Sequence, residues 1–80
     1  MSYNSKAFGM VISRLRTGRG MTQERFSAFA GIARSHLTML ENGKKRVRLD
    51  TFCRIADALE LSPSALMRLV EEEMERQEED

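Results

Sequence analysis

The sequence predicts an all-α fold in one small domain of 80 residues. Apolar residues recur at intervals of three and four along most of the chain, which is the spacing of one face of an α-helix. No segment shows the strict alternation of apolar and polar residues that a half-buried strand requires. Glycines and capping residues stand between the periodic segments and divide the chain into five helices.

The first helix is predicted around Phe8 and ends near the glycines of residues 17–20. Its apolar residues follow the i, i+3, i+4, i+7 pattern and form one stripe. The members of this stripe are Phe8, Val11, Ile12 and Leu15.

The second helix is predicted to begin after Thr22, whose hydroxyl can cap the first turn. Glu24 lies in that turn, where a negative charge interacts favourably with the helix dipole. Gly31 ends the helix. The residues expected to be buried are Phe26, Phe29 and Ala30.

Residues 35–46, SHLTMLENGKKR, admit two interpretations. The pair Asn42-Gly43 is a common signal for a two-residue β-turn and therefore for a hairpin. A hairpin, however, needs alternating apolar residues on both sides, and residues 44–46 are Lys-Lys-Arg. The segment is therefore predicted to be a third helix, about residues 34–42, that Gly43 ends as a left-handed cap.

The fourth helix is predicted over about residues 49–59, with Asp50 in its first turn. Ser62 and Pro63 begin the fifth helix, the serine as N-cap and the proline at the first helical position. The inward residues expected in the fourth helix are Leu49, Phe52, Ile55, Ala56 and Leu59. The apolar positions of the fifth helix are Leu66, Leu69, Val70 and Met74.

The last ten residues, EEEMERQEED, contain seven carboxylates. Like charges repel and have little apolar surface to bury, so this end of the chain is expected to fray. The predicted organisation is therefore a folded domain over residues 1–70, followed at residues 71–80 by the acidic end of the fifth helix and a tail.

The net charge of +1 conceals a strong asymmetry between the two parts of the chain. Residues 1–48 carry ten lysines and arginines against two acids, a balance of +8, whereas residues 49–80 carry three against ten, a balance of −7. Such a division predicts a surface that binds a polyanion and a separate acidic end. The alternative is a chance distribution of charge.

Catalysis is poorly supported by the composition. One histidine and one cysteine provide neither a nucleophile–base pair nor a cluster of metal ligands, so no enzyme activity, metal or cofactor is predicted. Cys53 is expected to be a small buried apolar residue and cannot form an internal disulfide. Without a signal segment or a membrane-spanning apolar run, the expected location is the cytoplasm.

Five helices with a short turn between the second and third match the arrangement of a helix-turn-helix. The sequence of residues 21–46 resembles the Xre family of phage-repressor and Cro-like DNA-binding domains, and the resemblance covers about residues 7–70. The matching motifs are Thr22-Gln23, Ala30-Gly31-Ile32 and Leu40-Glu41-Asn42-Gly43-Lys44. This resemblance implies a compact, lambda-repressor-like domain of five helices, with helices 2 and 3 as the helix-turn-helix and double-stranded DNA as the partner. The small size is also similar to that of restriction-modification controller proteins, which work as homodimers.

Three departures from the family pattern concern the fold. Ala33 stands where the family has a Ser or Thr cap, which is expected to weaken the start of the third helix by roughly 1 kcal/mol. Val47-Arg48 replaces the usual Pro-Ser, so the fourth helix is also expected to lack a side-chain cap. Phe26-Ser27 replaces the usual Leu-Ala.

The resemblance implies that the third helix enters the major groove and that its N-terminal part faces the bases. Arg34 can donate to guanine O6 and N7 together, and Met39 can contact a thymine methyl group. The expected base contacts are Arg34, Ser35, His36, Thr38 and Met39. The expected phosphate contacts are Gln23, Asn42, Lys44, Lys45 and Arg46. The alternative is that these polar side chains are only solvated and that Met39 belongs to the core.

Arg16 lies at the position of the arginine that, in this family, braces the glutamate ending the recognition helix. The resemblance therefore implies a largely buried ion pair between Arg16 and Glu41. The alternative is that both are surface charges.

The function predicted from these observations is sequence-specific regulation of transcription by a homodimer on a pseudo-palindromic operator. The proposed dimer contact is a stripe on the fifth helix, although the same residues could all pack internally. An antitoxin or adaptor module that binds a protein partner through the fifth helix or the acidic end is the competing class. The residues of the stripe are Leu66, Met67, Leu69, Val70 and Met74.

Overall fold

The computed structural model describes residues 1–79, in which every regular element is a helix. The helices are α1 (Ser5–Gly18), α2 (Gln23–Ala30), α3 (Arg34–Glu41), α4 (Leu49–Ala58) and α5 (Pro63–Glu79). The all-α, five-helix fold predicted from the sequence is therefore confirmed. No helix in this part of the chain is long and apolar enough to cross a membrane.

Helix α1 lies against both α3 and α5. Helix α2 packs on α3 and α4, and α4 also contacts α5. The rings of Phe8 and Phe52 stack in the interior with centroids 5.7 Å apart, which joins α1 to α4. The largest fully buried side chains come from all five helices: Phe8, Val11, Ile12, Phe26, Leu37, Leu40, Ile55, Leu59, Leu66 and Val70.

Side chains cap the helices where the sequence predicts caps. The Thr22 hydroxyl accepts a hydrogen bond from the Arg25 amide at 3.1 Å, and the Ser62 hydroxyl accepts one from the Ala65 amide at 3.2 Å. Gly31 ends α2 in the left-handed region with a φ of 70°. Two boundary predictions, for α2 and α5, are thus confirmed together with their mechanism.

Helices α3 and α4 begin without a side-chain cap, as the departures from the family pattern predict. The N-cap of α3 is Ala33 and that of α4 is Arg48, and neither side chain hydrogen-bonds the first turn. The start of α3 is thus held by its packing rather than by a local cap.

Two apolar residues expected in the core are on the surface instead. Phe29 is 63% exposed, because α2 buries the narrow stripe formed by Phe26, Ser27 and Ala30 and Phe29 lies off that stripe. Leu49 is 78% exposed, since it is the first residue of α4, one turn before Phe52, and lies beyond the part of the helix that packs on the core. The predicted burial of Phe29 and Leu49 is therefore wrong.

The expectation that the acidic end frays is also wrong. Helix α5 continues to Glu79, and both Glu73 and Met74 are buried. The last turns are attached to α1, since the Asn4 side-chain amide donates to Gln77 Oε1 at 2.8 Å and Arg14 reaches Glu73. Tertiary contacts thus offset the repulsion between like charges. Asp80, also part of the predicted tail, lies outside the described residues.

The stripe on α5 divides between the core and the surface. Leu66, Val70 and Met74 are buried inside the monomer and cannot form a dimer contact, so their assignment to the interface is wrong. They recur every four residues and face α1 and α4. Of the other two, Met67 is exposed and Leu69 is half-buried against the core.

Candidate nucleic-acid interface

Helix α3 is amphipathic and presents a polar outer surface. Leu37 and Leu40 are fully buried, whereas Arg34, Ser35 and Met39 are exposed. His36 and Thr38, two other predicted base contacts, are half-buried. The outward position of Met39 removes the alternative that it belongs to the core.

The end of α3 leads directly into a basic loop, residues 44–46, whose three side chains are all exposed. Gly43 adopts a φ of 71°, which a residue without a Cβ tolerates easily. Its amide donates to the Leu40 carbonyl at 3.1 Å, and the Lys44 amide donates to the Met39 carbonyl at 2.9 Å. These two bonds form a Schellman motif, so the basic loop is held in a defined position after the helix.

Arg16 and Glu41 form the ion pair expected from the resemblance. Arg16 Nε lies 2.7 Å from Glu41 Oε2 and Arg16 Nη2 lies 3.0 Å from Oε1, which is a bidentate geometry. The exposed fractions of the two side chains are 11% and 5%. The hydrogen bonds from Arg16 to Glu41 raise the pKa of Arg16 above its ordinary value, although burial acts in the opposite direction.

The pair connects three helices through further hydrogen bonds. Arg16 Nη1 donates to the Met21 carbonyl at 2.7 Å, just before α2 begins. Gln23 Nε2 donates to Glu41 Oε1 at 2.9 Å, and Thr38 Oγ1 donates to Gln23 Oε1 at 3.0 Å. We call Arg16, Gln23, Thr38 and Glu41 the polar network.

The charges around this network leave the surface positive. Among residues 1–48 the two acids are Glu24 and Glu41, and Arg16 neutralises the second inside the protein. The lysines and arginine of the basic loop are exposed, as is Arg34 at the start of α3. The surface formed by α3 and the basic loop is therefore suited to a polyanion.

Close backbone contacts hold α3 against α1, and sequence reasoning missed them. A Cβ on Gly9 would lie 2.5 Å from the Glu41 carbonyl oxygen, and a Cβ on Gly43 would lie 3.0 Å from the Cα of Lys6. The exposed Lys6 thus stands beside the basic loop and adds to its charge. A glycine inside the apolar stripe of α1 was a signal for such close packing.

An apolar groove of about 330 Å³ lies beside the start of α4. Exposed Leu49 stands at its edge, and exposed Met67, from the stripe on α5, lines it as well. We call it the α4 groove, and its lining residues are Tyr3, Val47, Leu49, Phe52, Pro63 and Met67.

Comparison with known proteins places the chain in a family. A family model described as Helix-turn-helix (HTH_3) matches residues 12–66. An uncharacterized HTH-type transcriptional regulator of Sinorhizobium fredii, y4dJ, is 33% identical over 67 residues, which cover 84% of this chain and 87% of that protein. The residues that the family model matches include all four members of the polar network.

Solved structures agree with this assignment. The restriction-modification controller protein C.AhdI of Aeromonas hydrophila is 32% identical, with a TM-score of 0.74 over 78% of this chain and 94% of that chain. The controller protein C.Esp1396I, 21% identical, has the same fold, with a TM-score of 0.83 over 95% of this chain and 99% of that chain. The clp gene regulator ClgR of Corynebacterium glutamicum, 22% identical, also shares the fold, with a TM-score of 0.84 over 91% of this chain and 78% of that chain. The chain therefore belongs to the HTH_3 helix-turn-helix family, the Xre-like group of transcriptional regulators.

Proposed function

We propose that this protein binds a specific operator sequence in double-stranded DNA by placing α3 in the major groove. The observation that carries the proposal is the continuity of an exposed polar surface on α3 with the basic loop, residues 44–46. An α-helix fits the major groove, where base edges can be distinguished, and lysines and arginines beside it contact phosphates. In this arrangement the two kinds of contact come from adjacent parts of one surface.

The residues divide into those that read bases and those that hold the backbone. Arg34, Ser35 and Met39 are exposed on α3, so they are the strongest candidates for base contacts, with His36 beside them. Arg34 matches guanine through its planar fork, and Met39 suits a thymine methyl group. The phosphate contacts are assigned to Gln23, Asn42, Lys44, Lys45 and Arg46.

We assign the homodimer contact to the α4 groove, in place of the buried residues of α5. Leu49 is 78% exposed at the groove and lies three residues after the basic loop. A second copy of the chain that covers Leu49 would therefore bring a second basic loop towards the first. A two-fold dimer of this kind presents two recognition helices about 34 Å apart, which predicts a pseudo-palindromic operator.

The dimer contact is tested by sedimentation of two matched variants. Leu49→Glu places a charge in the α4 groove, whereas Phe29→Glu places the same charge on an exposed aromatic residue of α2. We expect Leu49→Glu to be monomeric at tens of micromolar and to bind the full operator weakly, and Phe29→Glu to remain dimeric. A wild-type monomer that binds a full operator one to one would refute the dimer.

The DNA target is tested by selecting bound sequences from a random pool of duplexes. A palindromic consensus would establish specificity and two-fold symmetry together. Recovery of duplexes without any consensus would contradict sequence-specific binding. A specific regulator of transcription would act in the cytoplasm.

Two substitutions separate base reading from phosphate binding. Arg34→Ala is expected to remove about 1–3 kcal/mol at the cognate site and to relax preference at one position per half-site. Lys45→Ala is expected to weaken cognate and random duplexes by similar factors and to reduce the salt slope by about one unit. Binding is measured on both duplexes at several salt concentrations. Equal losses on both duplexes for Arg34→Ala would make Arg34 another phosphate contact.

One observation supports the competing role as an antitoxin or adaptor. The ordered end of α5 exposes several carboxylates, among them Glu71, Glu75 and Glu78, which suit a basic surface on a protein partner. A sequence-specific footprint on DNA excludes a role as an adaptor alone. An antitoxin that also binds DNA would produce the same footprint, and a toxin-like gene beside this one would favour it.

A further inference from the structure

The side chain of Gln23 is held at both ends inside the protein. Its Nε2 donates to Glu41 Oε1 at 2.9 Å, and its Oε1 accepts from the Thr38 hydroxyl at 3.0 Å. Glu41 is itself fixed by the bidentate contact with Arg16. The position of the Gln23 amide is therefore determined by α1 and α3 as well as by its own helix.

The chemistry of these partners also fixes which way the amide faces. A carboxylate only accepts hydrogen bonds, so the nitrogen and not the oxygen of Gln23 must face Glu41. A flipped amide would bring its carbonyl oxygen against the Glu41 oxygen. The nitrogen carries two hydrogens, and within residues 1–79 only Glu41 accepts from it. One hydrogen is left to donate to a DNA phosphate.

The Thr38 hydroxyl, by contrast, is already committed as a donor. It has one hydrogen and two protein acceptors at 3.0 Å, Gln23 Oε1 and the Arg34 carbonyl oxygen. Thr38 belongs to α3 and is half-buried where that helix meets α2, whereas Arg34 and Ser35 on the same helix are exposed. A hydroxyl in this situation cannot donate to a base without releasing Gln23 or the helix backbone.

From this geometry we infer that Thr38 is a positioning residue for Gln23, and not a residue that donates to a base. Thr38 holds the amide oxygen while Glu41 holds the amide nitrogen, so the second Nε2 hydrogen is aimed before DNA arrives. The inference rests on the proposed function, because it assigns Gln23 to a phosphate. It also means that the phosphate contact of α2 and the base contacts of α3 share one rigid connection, the polar network.

The test is a double-mutant cycle with matched substitutions at position 38. Thr38→Val keeps the shape of the side chain and removes the hydroxyl, and Thr38→Ser keeps the hydroxyl. Both are made in the wild type and in Gln23→Ala, and binding is measured on the selected duplex and on a scrambled duplex. Thermal unfolding of every variant confirms that it is folded at the temperature of the binding measurement.

We expect Thr38→Val to weaken binding to both duplexes by the same factor, roughly two- to tenfold, the usual worth of one hydrogen bond. Base preference should not change, Thr38→Ser should restore binding, and Thr38→Val should have no further effect in Gln23→Ala. This result would show that Thr38 and Gln23 contribute to DNA binding as one unit.

Three results would overturn the inference while leaving the proposed function intact. One is a change of base preference in Thr38→Val that persists in Gln23→Ala, which would make Thr38 a base-reading residue. The second is an unchanged affinity in Thr38→Val, and the third is an unchanged affinity in Gln23→Ala. Failure of the wild type to prefer any selected duplex would instead refute the proposed function, and the inference with it.

Discussion

Glu41 and Glu73 are both nearly buried glutamates that bind arginine, but their surroundings differ. The exposed fractions of their side chains are 5% and 7%. Arg16, the partner of Glu41, is 11% exposed, whereas Arg14 and Arg76, the partners of Glu73, are 52% and 59% exposed. The carboxylates are thus similarly enclosed, whereas their arginine partners differ in exposure.

This difference determines what each contact contributes. A buried arginine that loses its carboxylate is left as an unpaired charge without water, whereas an exposed arginine regains its hydration. The contacts of the two glutamates also differ in which helices they join. Glu41 joins α3 to α1 and, through Gln23, to α2, whereas Glu73 joins α5 to α1 through Arg14 and otherwise binds its own helix. The proposed DNA-binding surface therefore depends on Glu41, and the end of α5 depends on Glu73.

The largest effect is expected for Glu41→Ala, which leaves Arg16 buried and unpaired. We expect the free energy of unfolding to fall by about 3–5 kcal/mol. Denaturant titration measures this fall in the free energy of unfolding. A variant that no longer folds at room temperature would agree with a loss at the upper end of the expected range. A loss of under about 1 kcal/mol, the range of exposed pairs, would mean that Arg16 regains water as easily as Arg14 does.

A second substitution disturbs the Glu41 side of the comparison without removing a charge. Gly9→Ala places a Cβ against the Leu40 and Glu41 carbonyl oxygens, so α3 must shift away from α1. We expect a loss of about 1–3 kcal/mol, because overpacking outweighs the gain in helix propensity.

Gly18→Ala is the matched control for Gly9→Ala. Gly18 also belongs to α1, but a Cβ there meets no atom within 4 Å. We expect it to be neutral or stabilising by up to about 1 kcal/mol. Equal effects of the two substitutions on thermal unfolding would show that α3 can shift away from α1 with little loss of stability.

Glu73→Ala is expected to cost less than Glu41→Ala, about 1–2 kcal/mol, since hydrogen bonds are lost but no arginine is stranded. Affinity for DNA should be unchanged in the folded protein, because α5 does not carry the proposed contacts. The measurements are denaturant titration and binding to the selected duplex. A loss as large as that of Glu41→Ala would contradict the idea that the exposure of the arginine partner determines how much stability is lost.

The smallest expected effect is a dependence of stability on pH. Hydrogen bonds from Arg76, and then from Gln77 and Arg14, hold the pKa of Glu73 below its ordinary value of 4.5, although burial opposes them. A lowered pKa in the folded state stabilises the protein above the unfolded pKa, and this stabilisation is lost as the pH falls through the folded pKa. Glu73→Gln should therefore differ from the wild type at pH 7 and converge with it below pH 4.5. A difference that stays constant in acid would show that charge is not involved.

Much of the fold could be predicted because its signals are local. The apolar period of α1, the Thr22 and Ser62 caps and the left-handed Gly31 act within a few residues of one another, and each helix boundary that depends on them agrees with the structure. Two of the errors were the predicted burial of Phe29 and of Leu49. Phe29 lies at the side of an apolar stripe and Leu49 at the end of one, where hydrophobicity alone does not say whether a residue reaches the core.

The site was predicted in part by the resemblance and in part by charge. Motif matches indicated the Arg16–Glu41 pair, and the excess of lysines and arginines in residues 1–48 indicated a basic surface. The hydrogen bond between Thr38 and Gln23 was not foreseen, because its donor and acceptor lie on different helices. The base and phosphate contacts remain predictions.

The sequence by itself determined the number of helices, the caps of α2 and α5 and the positive character of the segment that contains α3. These properties follow from interactions between near neighbours and from composition, which the order of residues specifies directly. Only the tertiary structure decided that Leu66, Val70 and Met74 face the core, that the acidic end stays helical, and that Glu41 and Glu73 have partners of such different exposure. Each of these depends on residues distant along the chain, because burial is a property of how helices pack and not of any one helix.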